Sequence, residues 1–102
     1  MKTYKKLVRD KIPEIILKNG EKPKVRILEE KEYIEELNKK LKEEVNEFLA
    51  DESLEELADI LEVVYSLADA KNYGVEALEV KRCEKTEKRG SFKDRVFLEN
   101  VN

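Results

Sequence analysis

Lys31 to Leu49 reads KEYIEELNKKLKEEVNEFL and Ser53 to Asn72 reads SLEELADILEVVYSLADAKN; these two stretches decide the fold of the chain. In the first stretch, apolar residues recur at steps of three and four, which is the pattern of an amphipathic helix. The second stretch is apolar around most of its circumference, as in a helix buried on nearly all sides. We therefore predict two helices that pack against each other.

Acidic residues interrupt the apolar faces of both predicted helices. Glu44 falls on the apolar stripe of the first helix, and Asp59 lies within the apolar run of the second. A charge in a row that faces the core is costly unless something pairs with it. Glu47 and Glu56 each lie three residues from one of these acids, on a neighbouring position of the same helical surface. The spacing predicts that four carboxylates converge where the two helices meet.

Converging carboxylates repel one another, so they are stable mainly around a hard cation, of which magnesium is the usual one. Two pairs of acids on facing helices are a known way to build such a site. Histidine is absent and Cys83 is the only cysteine, which excludes an ordinary zinc site. We predict a magnesium site, and a cation of this kind next to basic segments indicates chemistry on phosphates.

Solvated helix faces are the alternative interpretation for the many other acids of the chain. Glu56 also has a structural alternative, because it follows Ser53 by three residues, the spacing of a capping box. Glu62 is predicted to be a supporting acid beside the cation. No histidine is present to activate serine or Cys83, and the glycines are isolated, so neither a nucleophile set nor a phosphate-binding loop is predicted.

Two further helices and a minor strand pair complete the predicted all-α fold. A short helix is predicted within Lys5 to Asn19, with Pro13 in its first turn, and a fourth helix from Val75 to about Lys88. Glycines 20, 74 and 90 are predicted to end or separate helices, and Phe92 to anchor the tail. The alternating segment Lys24 to Leu28 could pair as a short strand with Arg95 to Leu98.

Composition indicates a single domain that spans residues 1–102. Between Glu29 and Glu62 there are fourteen acidic and four basic residues, whereas Lys81 to Arg95 has seven basic and three acidic ones. The overall charge of −3 and the lack of aromatics among the basic residues disfavour nucleic-acid binding. No apolar run approaches the roughly 20 residues that span a bilayer. With a single cysteine, these features predict a cytoplasmic protein.

The pattern E-E-x-x-E followed by E-x-x-D resembles the MazG-like all-α nucleoside triphosphate pyrophosphohydrolases. In this chain the pattern consists of Glu43, Glu44, Glu47, Glu56 and Asp59. The opening KLVRDKIPEII (residues 6–16) and the closing KRGSFKDRVFL (residues 88–98) resemble one small branch of that family. Its members are single-domain, house-cleaning enzymes related to phosphoribosyl-ATP pyrophosphohydrolase.

The resemblance implies a four-helix-type bundle that forms a homodimer or a higher homo-oligomer. It implies magnesium-dependent hydrolysis of a nucleoside triphosphate, in this branch a non-standard one, to the monophosphate and pyrophosphate; manganese could substitute. By position, the metal ligands would be Glu44, Glu47, Glu56 and Asp59, and Glu44 or Glu47 would orient or deprotonate the attacking water. The residues expected to hold the substrate phosphates are Arg9, Lys11, Lys88, Arg89 and Arg95.

One departure from the family concerns the link between the acid pairs. Only eight residues separate Glu47 from Glu56, so the turn must be tight and no substrate-recognition element is inserted there. Two alternatives stay open: hydrolysis of phosphoribosyl-ATP, and a non-catalytic helical module that binds a partner through its apolar third helix.

Overall fold

The computed structural model describes residues 2–102, and within them it has four α-helices and no β-strand. The helices are α1 (Ile12–Lys18), α2 (Glu30–Asp51), α3 (Leu54–Ala70) and α4 (Val75–Arg89). α2 and α3 pack along each other as a helical hairpin, and α4 contacts α3 near the turn that joins them. The all-α prediction is confirmed, and the predicted bounds of α4 are correct to within one residue.

The predicted strand pair is wrong. Residues 24–28 and 95–98 form no strand, and nearly all of their side chains are exposed. A strand needs a neighbouring backbone to satisfy its N–H and C=O groups, and alternation in the sequence does not supply one. Instead, Arg26 donates two hydrogen bonds to the carboxylate of Glu32, at 3.0 and 2.7 Å. This ion pair holds the loop against the first turn of α2.

The first helix is shorter than the predicted range, because it begins at Ile12. Pro13 occupies its first turn, as predicted. A proline ring clashes with the carbonyl group four residues earlier, so the helix cannot extend back through Arg9. The helix ends as predicted, with Gly20 at a φ of 86°.

The turn between α2 and α3 consists of Glu52 and Ser53 alone. Glu52 adopts a left-handed conformation, with φ of 54°, which reverses the chain at once. Ser53 caps α3, since its side-chain oxygen accepts a hydrogen bond from the backbone N–H of Glu56 at 3.3 Å. The tight turn and the Ser53 cap are both confirmed, and they fix how the acids of α2 and α3 face each other.

The apolar core of the single chain is small. Among residues 2–102 the buried apolar side chains are Leu37, Val63 and Ala68. The prediction that α3 is buried on nearly all sides is wrong for one chain, since Leu54 is 81% exposed and Leu57 and Leu61 are about half exposed. The physical reason is that α2 covers one side of α3 while α4 contacts it only near one end.

The accessible surface of the chain is 9785 Å², whereas a compact protein of 12.0 kDa has about 6,000 Å². The excess shows how much surface a single chain leaves uncovered. Phe92, predicted to anchor the tail, is 96% exposed, so it anchors nothing in its own chain. Across residues 2–102, the structure contains no helix with the length and apolar character required to cross a bilayer.

Candidate metal centre

Three of the four predicted ligands meet at the contact between α2 and α3. The carboxylates of Glu44 on α2 and of Glu56 and Asp59 on α3 each offer an oxygen within 4.8 Å of the other two. Glu56 and Asp59 lie three residues apart on one face of α3, and that face is turned toward Glu44. Helix packing therefore brings together three of the four carboxylates that the spacing predicted to converge.

Glu44 is the one charged residue among residues 2–102 that is buried, with 7% of its surface exposed. Its Oε2 has no hydrogen-bond partner in that part of the chain. Burial raises the pKa of Glu44, and the nearby carboxylates of Glu47 and Asp59 raise it further. An unpartnered buried carboxylate oxygen is costly, and here it belongs to the group that faces two other acids.

Glu56 has a second buried oxygen, Oε2, without a partner among the described residues. Burial raises the pKa of Glu56 to about 7, and the carboxylates of Glu47 and Glu44 contribute to the same shift. The alternative role of Glu56 in the cap of α3 does not involve its carboxylate. The cap uses only the backbone N–H of Glu56, and the N–H of Ser53 donates to Oδ1 of Asp51 at 3.1 Å.

Glu47 lies at the edge of this cluster and is not one of the three residues within 4.8 Å. It is exposed, one turn along α2 from Glu44, and its charge raises the pKa values of both Glu44 and Glu56. Glu47 is therefore a solvent-accessible carboxylate directly beside the group. The predicted supporting acid, Glu62, is exposed and outside the group.

Two cationic side chains contact the cluster. Arg9 donates a hydrogen bond from Nη2 to Oδ1 of Asp59 at 2.7 Å, which brings one predicted phosphate-binding residue to the site. Lys40 Nζ lies 3.7 Å from Oε1 of Glu44, a contact that was not predicted from the sequence. The position of Lys40 four residues before Glu44, on the same helix face, is the signal that could have identified it.

The other predicted phosphate-binding residues are not brought to the cluster by a single chain. Within residues 2–102, none of the four forms an ion pair, and all are exposed: Lys11, Lys88, Arg89 and Arg95. Lys11 occupies the position before α1 without a capping side-chain hydrogen bond. The remaining three lie at or beyond the end of α4, in the part of the chain that is exposed at every position from Val80 onward.

The three residues that meet at the cluster offer only carboxylate oxygens. Magnesium and calcium, which are hard divalent cations, prefer oxygen ligands of this kind. Two oxygens bound to a magnesium ion are about 3 Å apart in neighbouring positions and about 4.2 Å apart in opposite ones, so oxygens within 4.8 Å of one another need up to about 2 Å of side-chain adjustment. Glu44, Glu56 and Asp59 can therefore hold magnesium, with Glu47 near enough to join them by a change of rotamer.

The chain was compared with protein-family models, curated proteins and solved structures, and no match was found.

Proposed function

We propose that this protein is a magnesium-dependent hydrolase that cleaves a nucleoside triphosphate, in particular a non-standard one, to the nucleoside monophosphate and pyrophosphate. The observation that carries the proposal is the carboxylate of Glu44, which is buried, faces two other acids and has an oxygen without a partner. A buried charge of this kind is explained by a cation that binds between α2 and α3. The resemblance of the acid pattern and both terminal segments to the MazG-like enzymes supplies the reaction.

The residues at the cluster are suited to distinct roles in this reaction. Glu44, Glu56 and Asp59 would hold magnesium, which supplies positive charge against phosphate oxygens and acidifies water in contact with it. Glu47 is exposed at the edge of the cluster, where its carboxylate can accept a proton from an attacking water. Arg9 already lies at the site, and its guanidinium can turn from Asp59 to a phosphate group, which it binds with two donors.

The test is a panel of standard and modified nucleoside triphosphates, incubated with the purified protein and magnesium. We expect the release of pyrophosphate and the monophosphate in equal amounts from at least one of them, and no release in EDTA. Manganese should restore activity after EDTA treatment. Phosphoribosyl-ATP belongs in the same panel, because its preferential hydrolysis would assign the protein to that reaction instead. Release of inorganic phosphate alone would contradict the proposed cleavage position.

A second candidate, a non-catalytic interaction module, is favoured by the apolar side chains that α3 exposes. Calorimetric titration with magnesium separates the two candidates. A hydrolase should bind the ion at the cluster, and Asp59→Asn should weaken this binding. A module has no need of the ion, so heat signals that are unchanged in the Asp59→Asn protein would favour it.

We also propose that the active form is a homodimer or a higher homo-oligomer. The accessible surface, far above that of a compact chain of this size, supports burial of α3 against another copy. A cytoplasmic location fits the single, exposed, free thiol of Cys83, because exposed free thiols persist in reducing compartments.

A further inference from the structure

Lys40 is the one basic residue among residues 2–102 that is not exposed. It lies three residues after Leu37 and four before Glu44, on the same face of α2 as these two buried residues. A lysine on such a face buries its methylene stem against its neighbours and extends its ammonium group to the nearest polar region. In this chain that region is the carboxylate cluster, and 19% of the Lys40 side chain is exposed there.

The ammonium group of Lys40 lies near two carboxylates of its own helix. Its Nζ is 3.6 Å from Oε2 of Glu43 and 3.7 Å from Oε1 of Glu44. Both distances exceed the roughly 2.7 to 3.2 Å of a hydrogen bond from N–H to oxygen. The two acids therefore attract the ammonium through its charge, and its three N–H donors stay available for another acceptor.

The same ammonium group keeps contact with solvent. Among residues 2–102, the side-chain nitrogen and oxygen atoms that are both buried and unpartnered are Oε2 of Glu44 and Oε2 of Glu56, and Nζ of Lys40 is not one of them. A molecule that enters the cluster from solvent can therefore reach Nζ. Because the stem of Lys40 is largely buried, ordering the ammonium around a ligand costs less entropy than ordering an exposed lysine.

The described chain places one cation beside each of the two helices that form the cluster. Arg9 contacts Asp59 of α3 at 2.7 Å, and Lys40 lies next to Glu44 of α2. The carboxylates that attract a divalent cation repel a phosphate chain, so a nucleotide at this cluster needs positive charge in addition to that of the metal. Lysine supplies such charge to phosphates as a compact ammonium with several donors.

The alternative role for Lys40 is a purely structural ion pair that compensates Glu44. Two properties make stability a weak explanation for a lysine here. Removing an ammonium group from water is costly, and a lysine that precedes its glutamate by four residues is the less favourable order of such a pair in a helix. The unused donors of Nζ are explained better by a ligand with many acceptor oxygens.

We propose that Lys40 is a phosphate-binding residue, whose ammonium group contacts the phosphate chain of the nucleotide and the pyrophosphate that is released from it. The inference rests on the proposed function, because it requires magnesium and a phosphate chain to meet at the cluster. It adds to Arg9 a second phosphate-binding residue at the site, one that the resemblance to the MazG-like enzymes did not imply.

Calorimetric titrations of the full chain test this role without turnover. Magnesium is titrated first, and inorganic pyrophosphate is then titrated into protein that is saturated with magnesium. A mildly alkaline buffer keeps the carboxyl groups of Glu44 and Glu56 ionised, although their pKa values are raised. The variant is Lys40→Met, which keeps most of the apolar stem and removes the charge, and its folding is checked by thermal melting.

The expected effects on the two ligands differ in direction. Lys40→Met should raise the dissociation constant of pyrophosphate roughly 10- to 100-fold, because a hydrogen bond between charged groups is lost. The dissociation constant of magnesium should stay the same or fall, because an ammonium group that repels the ion has been removed. Lys39→Met is the matched control and should change neither constant, since Lys39 pairs with Glu36 at 2.9 Å, outside the cluster.

Three results would overturn the inference. The first is an unchanged affinity of the Lys40→Met protein for pyrophosphate. The second is weaker binding of both magnesium and pyrophosphate, which is expected if Lys40 only holds Glu44 in position. The third is a wild type that binds magnesium but not pyrophosphate. A wild type that binds no magnesium would instead refute the proposed function, and this inference with it.

Acetylation of lysines in the wild-type protein gives an independent measurement that needs no variant. The protein is treated briefly with acetic anhydride, in magnesium alone and in magnesium with pyrophosphate, and the modification of each lysine is measured by mass spectrometry. We expect pyrophosphate to slow the acetylation of Lys40 several-fold and to leave that of Lys39 unchanged. Equal rates for Lys40 with and without pyrophosphate, or equal slowing at both lysines, would contradict the contact.

Discussion

Glu44 combines burial with an unpartnered oxygen, and both properties follow from its position on the face of α2 that packs on α3. Lys40 compensates part of the charge through Oε1 at 3.7 Å, while Oε2 is buried without a hydrogen-bond partner among the described residues. The same residue is thus unfavourable for the folded chain alone and favourable once a cation binds. This opposition makes Glu44 the best single position for separating stability from function.

We predict that Glu44→Gln removes magnesium binding and strongly lowers pyrophosphate release. The loss should exceed the roughly 10- to 100-fold that is typical when a group supporting a metal ligand is removed, because Glu44 is a proposed ligand itself. The metal-free variant should melt at the same or a higher temperature than the wild type, because a buried charge is replaced by a neutral group of similar shape. Glu35→Gln, at an exposed position of α2 outside the cluster, is the control. Wild-type turnover in the Glu44 variant would remove this residue from the site.

The raised pKa of Glu56 makes the stability of the metal-free protein dependent on pH. The folded state keeps the proton up to about pH 7, whereas the unfolded chain releases it near 4.5. Between these values the folded state binds more protons, so its stability falls as the pH rises. The melting temperature of Glu56→Gln in EDTA should therefore rise relative to that of the wild type from pH 4.5 to 7 and then stay level. A constant difference across this range would mean that Glu56 is not shifted.

At the scale of elements, the hairpin of α2 and α3 depends on its two-residue turn. We predict that Ser53→Ala lowers the free energy of unfolding by about 1 kcal/mol, because the backbone N–H of Glu56 loses the oxygen that caps it. Chemical denaturation of the metal-free protein measures the change. Ser91→Ala, in the exposed tail, is the control. Equal denaturation midpoints for the Ser53 variant and the wild type would show that the cap does not stabilise the hairpin.

α4 is the element whose role the single chain leaves open. Its first residues contact α3, but from Val80 onward every side chain is exposed. Within residues 2–102, the basic residues at its end, Lys88 and Arg89, form no ion pair with the acids of α2 and α3. In the proposed oligomer this end of α4 would be free to contact another copy.

At the scale of the whole molecule, the described chain is elongated, 62 Å in its longest dimension, with a radius of gyration of 18.0 Å. A compact chain of this length has a radius of about 13 Å. The difference, with the large exposed surface, supports the proposed assembly of several copies.

We therefore predict a molar mass of at least twice 12.0 kDa by light scattering, and a melting temperature that rises with protein concentration. Leu57→Glu should shift the protein toward the monomer, because it puts a charge among the apolar side chains that α3 exposes. Ile27→Glu is the control, since Ile27 is 93% exposed and lies outside α3. A monomeric wild type at every concentration would contradict the proposed assembly.

The sequence by itself determined the helices and the residues at which several of them begin or end. Steps of three and four residues predicted α2 and α3, Pro13 and Gly20 bounded α1, and Ser53 marked the start of α3. These features are local, since each depends on residues within one or two turns. The burial of Glu44 could also be predicted from the sequence, because the periodicity alone shows which face of an amphipathic helix is buried.

Only the tertiary structure decided which groups meet. It brought Glu44 to Glu56 and Asp59, added Arg9 from 50 residues away and Lys40 from the same helix, and left Glu47 at the edge. It also left residues 24–28 and 95–98 unpaired, because strand pairing is a contact between distant segments that alternation cannot establish. The exposed apolar face of α3 could not be predicted for the same reason. The sequence shows that this face is apolar, but only three-dimensional packing decides whether the same chain covers it.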